Sequence, residues 1–175
     1  MKTETINAIL DKHPNAKKVC LYVDTSGSSE LKNIINIKNV VESIVNSKRN
    51  IKICGFNHYL YWSGNFKAPY VNDSAELITN VALDHLMVPG GTDFYPIYND
   101  IEKETKKGEI IAIIFSDMEV SIAYPACNKG DVLRNMSLND SNIYFDTTIF
   151  PLGELSNFKE EYKSIRNFEP QFITE

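Results

Sequence analysis

The sequence is poor in cysteine: Cys20, Cys54 and Cys127 are the only three in 175 residues. They are too few and too scattered for a disulfide framework, which belongs to small, cysteine-dense secreted chains. Cys20 and Cys54 fall inside strand-like runs and read as buried free thiols. No apolar run approaches the ~20 residues that cross a bilayer, and residues 1–18 lack the charged-then-apolar order of a leader. A reduced, cytoplasmic location is the expectation. Positive charge is also short, since 18 Lys and Arg face 23 Asp and Glu, for a net charge of -5 and a pI near 5.3. That balance argues against a broad nucleic-acid or anionic-membrane footprint and favours a protein partner. Internal repeats, low-complexity tracts and linkers are missing as well. With 43% hydrophobic and 23% charged residues, the chain reads as one globular domain, 1–175.

What the chain does have is an apolar run of strand length, Val19-Cys20-Leu21-Tyr22-Val23, ending on Asp24 and followed by Ser26 and Ser28 on either side of Gly27. A strand, then an acidic and hydroxyl-bearing turn, then a helix delivers side chains to the crevice at the carboxyl end of a parallel sheet. Asp24 offers a carboxylate, and the two serines offer neutral oxygens. Hard cations such as Mg2+ accept such sets. With few anionic ligands, the ion stays electrophilic enough to take a carboxylate from another molecule. The same residues also suit an Asx or Ser turn that caps the next helix.

Two further stretches bear on that choice. Pro89-Gly90-Gly91-Thr92-Asp93 precedes Phe94, Ile97, Tyr98 and Ile101, which have the spacing of one buried helix face. The paired glycines allow close backbone approach, and Thr92 or Asp93 is a natural N-cap. Ile110-Ile111-Ala112-Ile113-Ile114-Phe115 is an unbroken apolar run, as in a parallel strand buried on both faces, and it leads through Ser116 to Asp117.

Together the three pieces resemble the metal-ion-dependent adhesion site of von Willebrand factor A domains. That pattern is Asp-x-Ser-x-Ser, a downstream Thr and an Asp after a later strand, matched here by Asp24, Ser26 and Ser28, by Thr92, and by Asp117. The resemblance spans most of the chain. Gly-Gly-Thr-Asp-Phe is similar to the intracellular bacterial members, some of which are attached to metallopeptidase-like segments. Ser-Asp-Met-Glu more faintly resembles the corresponding domain of Ro ribonucleoproteins.

The resemblance implies a bound Mg2+ (or Mn2+). Asp24 and Asp117 would hold it directly or through water, Ser26 and Ser28 directly, and Thr92 in at least one conformational state. It also implies metal-dependent protein binding rather than turnover, with a partner that presents an Asp or Glu carboxylate. Many intracellular relatives work beside AAA-type ATPases, so a complex of that kind is an expected setting. The commonest family pattern has Gly after the last Asp, and here Met118 and Glu119 stand in its place. Glu119 either hydrogen-bonds metal-bound water or faces solvent, while Asp93 suits a helix cap or a place behind the ligands.

A metal-dependent hydrolase is the competing class. The motifs contain no His or Lys base, only carboxylates such as Asp93 and Glu119. Haloacid-dehalogenase-type enzymes place a second Asp two positions after the first, where this chain has Ser26. A Ro-like nucleic-acid module is a third reading, and the acidic charge opposes it.

Hydrophobic spacing predicts helices near 3–11, 30–48, 74–86, 93–106, 131–138 and 156–165. Strands are predicted at 18–23, 50–56, 59–62, 110–115 and 142–150, with a short edge strand or tail at 169–173. Asp73 or Ser74 would cap the third helix. Asn57-His58 reads as a hairpin turn with a solvated histidine, the aromatics around it as edge-strand packing, residues 63–71 as loop, and 118–142 as the rim of the site. The expected architecture is a doubly wound α/β domain with a mostly parallel sheet, helices on both faces and one antiparallel edge strand.

Overall fold

Alternate residues of the central strands point to opposite faces. In this chain both faces are apolar, which requires helices above and below the sheet. The computed structural model describes residues 1–26, 34–68, 75–86, 90–119, 129–148 and 155–174. In chain order it contains α1 (Thr3–Lys12), β1 (Lys18–Asp24), α2 (Ile34–Asn46), β2 (Asn50–Phe56), β3 (Leu60–Phe66), α3 (Ala75–Leu83) and α4 (Tyr95–Thr105). There follow β4 (Ile110–Phe115), α5 (Lys129–Asn135), a 3-10 turn (Asp140–Asn142), β5 (Ile143–Asp146), α6 (Leu155–Arg166) and β6 (Gln171–Ile173). The strands form one sheet in the order β3-β2-β1-β4-β5-β6, in which only the β2–β3 pair is antiparallel.

On one face Val19, Leu21 and Val23 join Ile51, Ile53, Ile111 and Ile113 beneath α1, α2 and α3, which contribute Ile6, Leu10, Val41, Ile44 and Ile78. On the other, Cys20, Tyr22, Cys54, Phe56, Ile114 and Phe145 meet α4, α5 and α6 through Ile97, Ile101, Leu133, Phe158 and Tyr162. Phe145 and Phe158 pack edge to face with ring centroids 5.1 Å apart. This is the doubly wound α/β arrangement expected from the strand and helix order.

Several boundaries differ from expectation. β3 runs on to Phe66 through Ser63, Gly64 and Asn65, which read as loop because they carry no apolar pattern. Backbone pairing with β2 (Cys54 opposite Ser63, Ile53 opposite Gly64) holds these residues extended, so sheet context overrides their weak strand propensity. β5 ends at Asp146, short of the predicted 150, and residues 149 and 150 lie outside the described residues. The same is true of the proposed caps Asp73 and Ser74, of Cys127 and of the start of the helix predicted from residue 30. α4 ends at Thr105, close to the predicted 106, and Gly108 just beyond it takes φ +146°. Cys20 and Cys54 are buried free thiols; burial pushes the Cys20 thiol up to about 12 and that of Cys54 upward as well. His58 is exposed, as expected of a turn histidine, and its Nε2 also accepts the Gly91 N–H at 3.2 Å.

Candidate metal centre

β1 has β2 on one side and β4 on the other, and the chain covers opposite faces on its way to each. At such a switch point the connections diverge and leave a crevice beyond the strand ends. β1 delivers Asp24, Thr25 and Ser26 to that crevice, β4 delivers Ser116 and Asp117, and the stretch before α4 brings Thr92 and Asp93.

Asp24 is 1% exposed. Its Oδ1 accepts the Ser26 N–H at 2.8 Å, with the Thr92 hydroxyl 3.5 Å away, and its Oδ2 accepts the Ser116 hydroxyl at 2.6 Å. Thr25 is pinned to the end of β2, since its N–H and hydroxyl both donate to Phe56 O, at 3.0 and 3.1 Å. Ser116 Oγ in turn accepts the Met118 N–H at 3.1 Å. Met118 takes φ +65°, the left-handed conformation that glycine adopts without penalty. Its side chain is fully buried in the core under α5 and α6, which offsets the strain.

The Gly90–Asp93 stretch is buttressed by the β2–β3 turn. Asp93 N–H donates to Asn57 O at 3.0 Å. A Cβ on Gly90 would lie 2.9 Å from Asn57 Nδ2, and one on Gly91 would lie 2.5 Å from His58 Cε1, so with any other residue at either position the facing side chain or this stretch would have to shift. Asp93 Oδ1 accepts the Tyr95 N–H at 2.9 Å, one residue upstream of the N-cap position that Phe94 fills. Asp93 Oδ2 pairs with Lys129 Nζ at 2.5 Å, and that ammonium also lies 5.2 Å from the centre of the Tyr95 ring. Asp93 thus ties the start of α4 to the start of α5.

Of the residues expected from the sequence, Asp24, Ser26 and Thr92 come together, and Asp117 stands beside them, 6% exposed, with its Oδ1 accepting the Glu119 N–H at 3.1 Å. Glu119 itself is exposed. Ser28 lies outside the described residues. Sequence reasoning overlooked Ser116, whose signal was its place between the apolar run and Asp117. It also overlooked Lys129 and the Asn57–His58 buttress, which no local pattern betrays.

Burial raises the Asp24 carboxyl above its usual range and neighbouring Asp117 adds to this, against the opposing hydrogen bonds from Ser116 and Ser26. Among the described residues no Lys, Arg or His forms an ion pair with Asp24 or Asp117. Buried carboxylates without a countercharge protonate or coordinate a cation. Nor, among the described residues, do three or more His, Cys, Asp or Glu side chains gather to hold a metal ion. An ion at Asp24 would therefore draw on the hydroxyls of Ser26 and Thr92, which suits a hard cation.

No family model matches the chain, and no curated protein matches it. Among solved structures it is similar to that of an aerotolerance-related membrane protein from Bacteroides fragilis carrying multiple mutations to serines, with 13% identity and a TM-score of 0.47. The match covers 74% of this chain and 65% of that one, so the chain spans a little under two thirds of the length of that structure. In the present chain, no helix among the described residues is long and apolar enough to cross a membrane.

Proposed function

We propose that the chain is a von Willebrand A-like, divalent-metal-dependent protein-binding domain. Its Mg2+ or Mn2+, held by Asp24, Ser26, Ser28, Thr92 and Asp117, would accept a carboxylate from a partner protein. The observation that carries this reading is Asp24: a carboxylate at 1% exposure, at the switch point of the sheet, hydrogen-bonded to Ser26 and Ser116 and with no cation of its own among the described residues. The ion would supply positive charge with few anionic ligands around it, leaving a partner's carboxylate as a favourable last ligand. Ser116 and the Ser26 N–H orient Asp24, while Asn57, His58 and Lys129 hold the stretch that presents Thr92.

Binding is favoured over turnover because, among the described residues, His58 is engaged by the Gly91 N–H and both Lys129 and the carboxylate Asp93 are taken up in pairing with each other. The buried thiols Cys20 and Cys54 fit an intracellular setting. A companion AAA-type ATPase rests on family resemblance alone. Affinity capture in Mg2+ and in EDTA tests the reading. Partners recovered only with metal, and lost for Asp24→Asn, support it, whereas identical partners in both buffers overturn it.

A further inference from the structure

The opposite end of the sheet, where β1, β2 and β4 begin, carries a second concentration of charge. Lys52 in β2 is 6% exposed, and its Nζ lies 2.8 and 2.7 Å from the two carboxylate oxygens of Asp100 and 3.1 Å from Glu104 Oε1. Glu104 also accepts Lys107 Nζ on Oε1 and Lys18 Nζ on Oε2, both at 2.9 Å. Burial opposes ionisation of Glu104, but the hydrogen bonds from Lys18, Lys107 and Lys52 outweigh it and hold the carboxyl at about 2. Three ammonium groups thus share the two carboxylates Asp100 and Glu104.

A cavity of ≈390 Å³ lies at this cluster, and its lining includes Asn15, Lys17, Lys18, Asn50, Glu104 and Lys107. The charges are layered. Glu104 is buried, whereas the side chains of Lys18 and Lys107 are 25% and 67% exposed and Lys17 is exposed. Glu109, a second carboxylate in the lining, is engaged by Asn142 at 3.4 Å, with His13 3.9 Å away. Among the lining residues Lys17, Lys18 and Lys107 stand against Glu104 and Glu109, three cations to two anions. The C-terminal end of α4 offsets this surplus by about half a charge. The lining therefore keeps a small positive balance, with Lys17 and Lys107 as its most exposed cations, in a chain whose net charge is -5.

We propose that this cavity binds a small oxyanion of the phosphate class. Lys17, Lys18 and Lys107 supply charge-assisted hydrogen bonds, and Asn15 and Asn50 supply neutral donors. The volume exceeds that of a bare phosphate and reaches the range of small-molecule sites, so a phosphate monoester with a small organic group also fits. This site stands apart from the Asp24 crevice and does not depend on the metal reading.

Isothermal titration of the full chain with inorganic phosphate and with glycerol phosphate, at constant ionic strength and with chloride as control, tests the proposal. The wild type should bind one equivalent. Lys17→Gln/Lys107→Gln, in which Glu104 keeps Lys18 and Lys52, should stay folded by thermal melting and bind at least about tenfold more weakly. Lys17→Gln alone provides a second folded variant, with the same direction of change. Asp24→Asn should bind as the wild type does. Tighter binding of glycerol phosphate identifies the ligand as an ester, and tighter binding of inorganic phosphate identifies the free anion. No binding of either by folded wild type, or equal binding by the lysine variants, overturns the proposal.

Discussion

Met118 shows how one residue can hold two conflicting demands. Its φ of +65° costs about 1–2 kcal/mol for a side-chain-bearing residue, which glycine would recover. Its side chain is fully buried, and removing a buried methionine costs about 2–5 kcal/mol. The burial term is the larger, so Met118→Gly is expected to lower the melting temperature. Glu104 gives a pH dependence of definite sign. Its carboxyl is held at about 2, below the ordinary 4.5, so its contribution is complete above 4.5 and is lost as pH falls through about 2. Denaturant unfolding between pH 5 and 2 should show the wild type losing on the order of 3 kcal/mol that Glu104→Gln does not lose. A parallel slope in both proteins would mean that the lysine cluster does not stabilise the ionised form.

Elements meet at the site through contacts that no single segment encodes. The β2–β3 turn holds the Gly90–Asp93 stretch through Asn57 and His58, so Gly91→Ala should collide with the imidazole and displace Thr92. Metal affinity is expected to drop about tenfold for that variant, with recovery in His58→Ala/Gly91→Ala, where the ring is gone. Failure of the second substitution to restore affinity would remove the buttress from the account. The same dependence on partners explains what could be read from the sequence. Asp24, Ser26, Thr92 and Asp117 were legible because each sits at a strand end or helix start marked by its own periodicity. Lys129 and His58 act across 36 and 33 residues of chain, and nothing local announces such pairings. β3 runs past the predicted 62 for a related reason, since Ser63-Gly64-Asn65 becomes strand only when β2 lies beside it.

The whole molecule separates two kinds of charge at opposite ends of one sheet. The strand ends carry buried Asp24 and Asp117, and the strand starts carry Lys18, Lys52 and Lys107 around Glu104. The layering itself was legible, because unbroken apolar runs such as 110–115 require cover on both faces and the βαβ order makes most pairings parallel. If the Asp24 crevice holds a metal, binding must appear as global stability, since a ligand that binds only the folded state shifts unfolding by mass action. At a hundredfold excess over Kd the gain is about 2.7 kcal/mol, or roughly 5–10 °C in a chain of this length. The most direct measurement is calorimetric titration of Mg2+ and Mn2+ into the wild type and Asp24→Asn, with melts of each in metal and in EDTA. The account predicts one equivalent bound by the wild type with a raised Tm, and neither for a variant that remains folded. Equal binding by both proteins, or no binding and no shift in the wild type even with an acidic partner present, would contradict it.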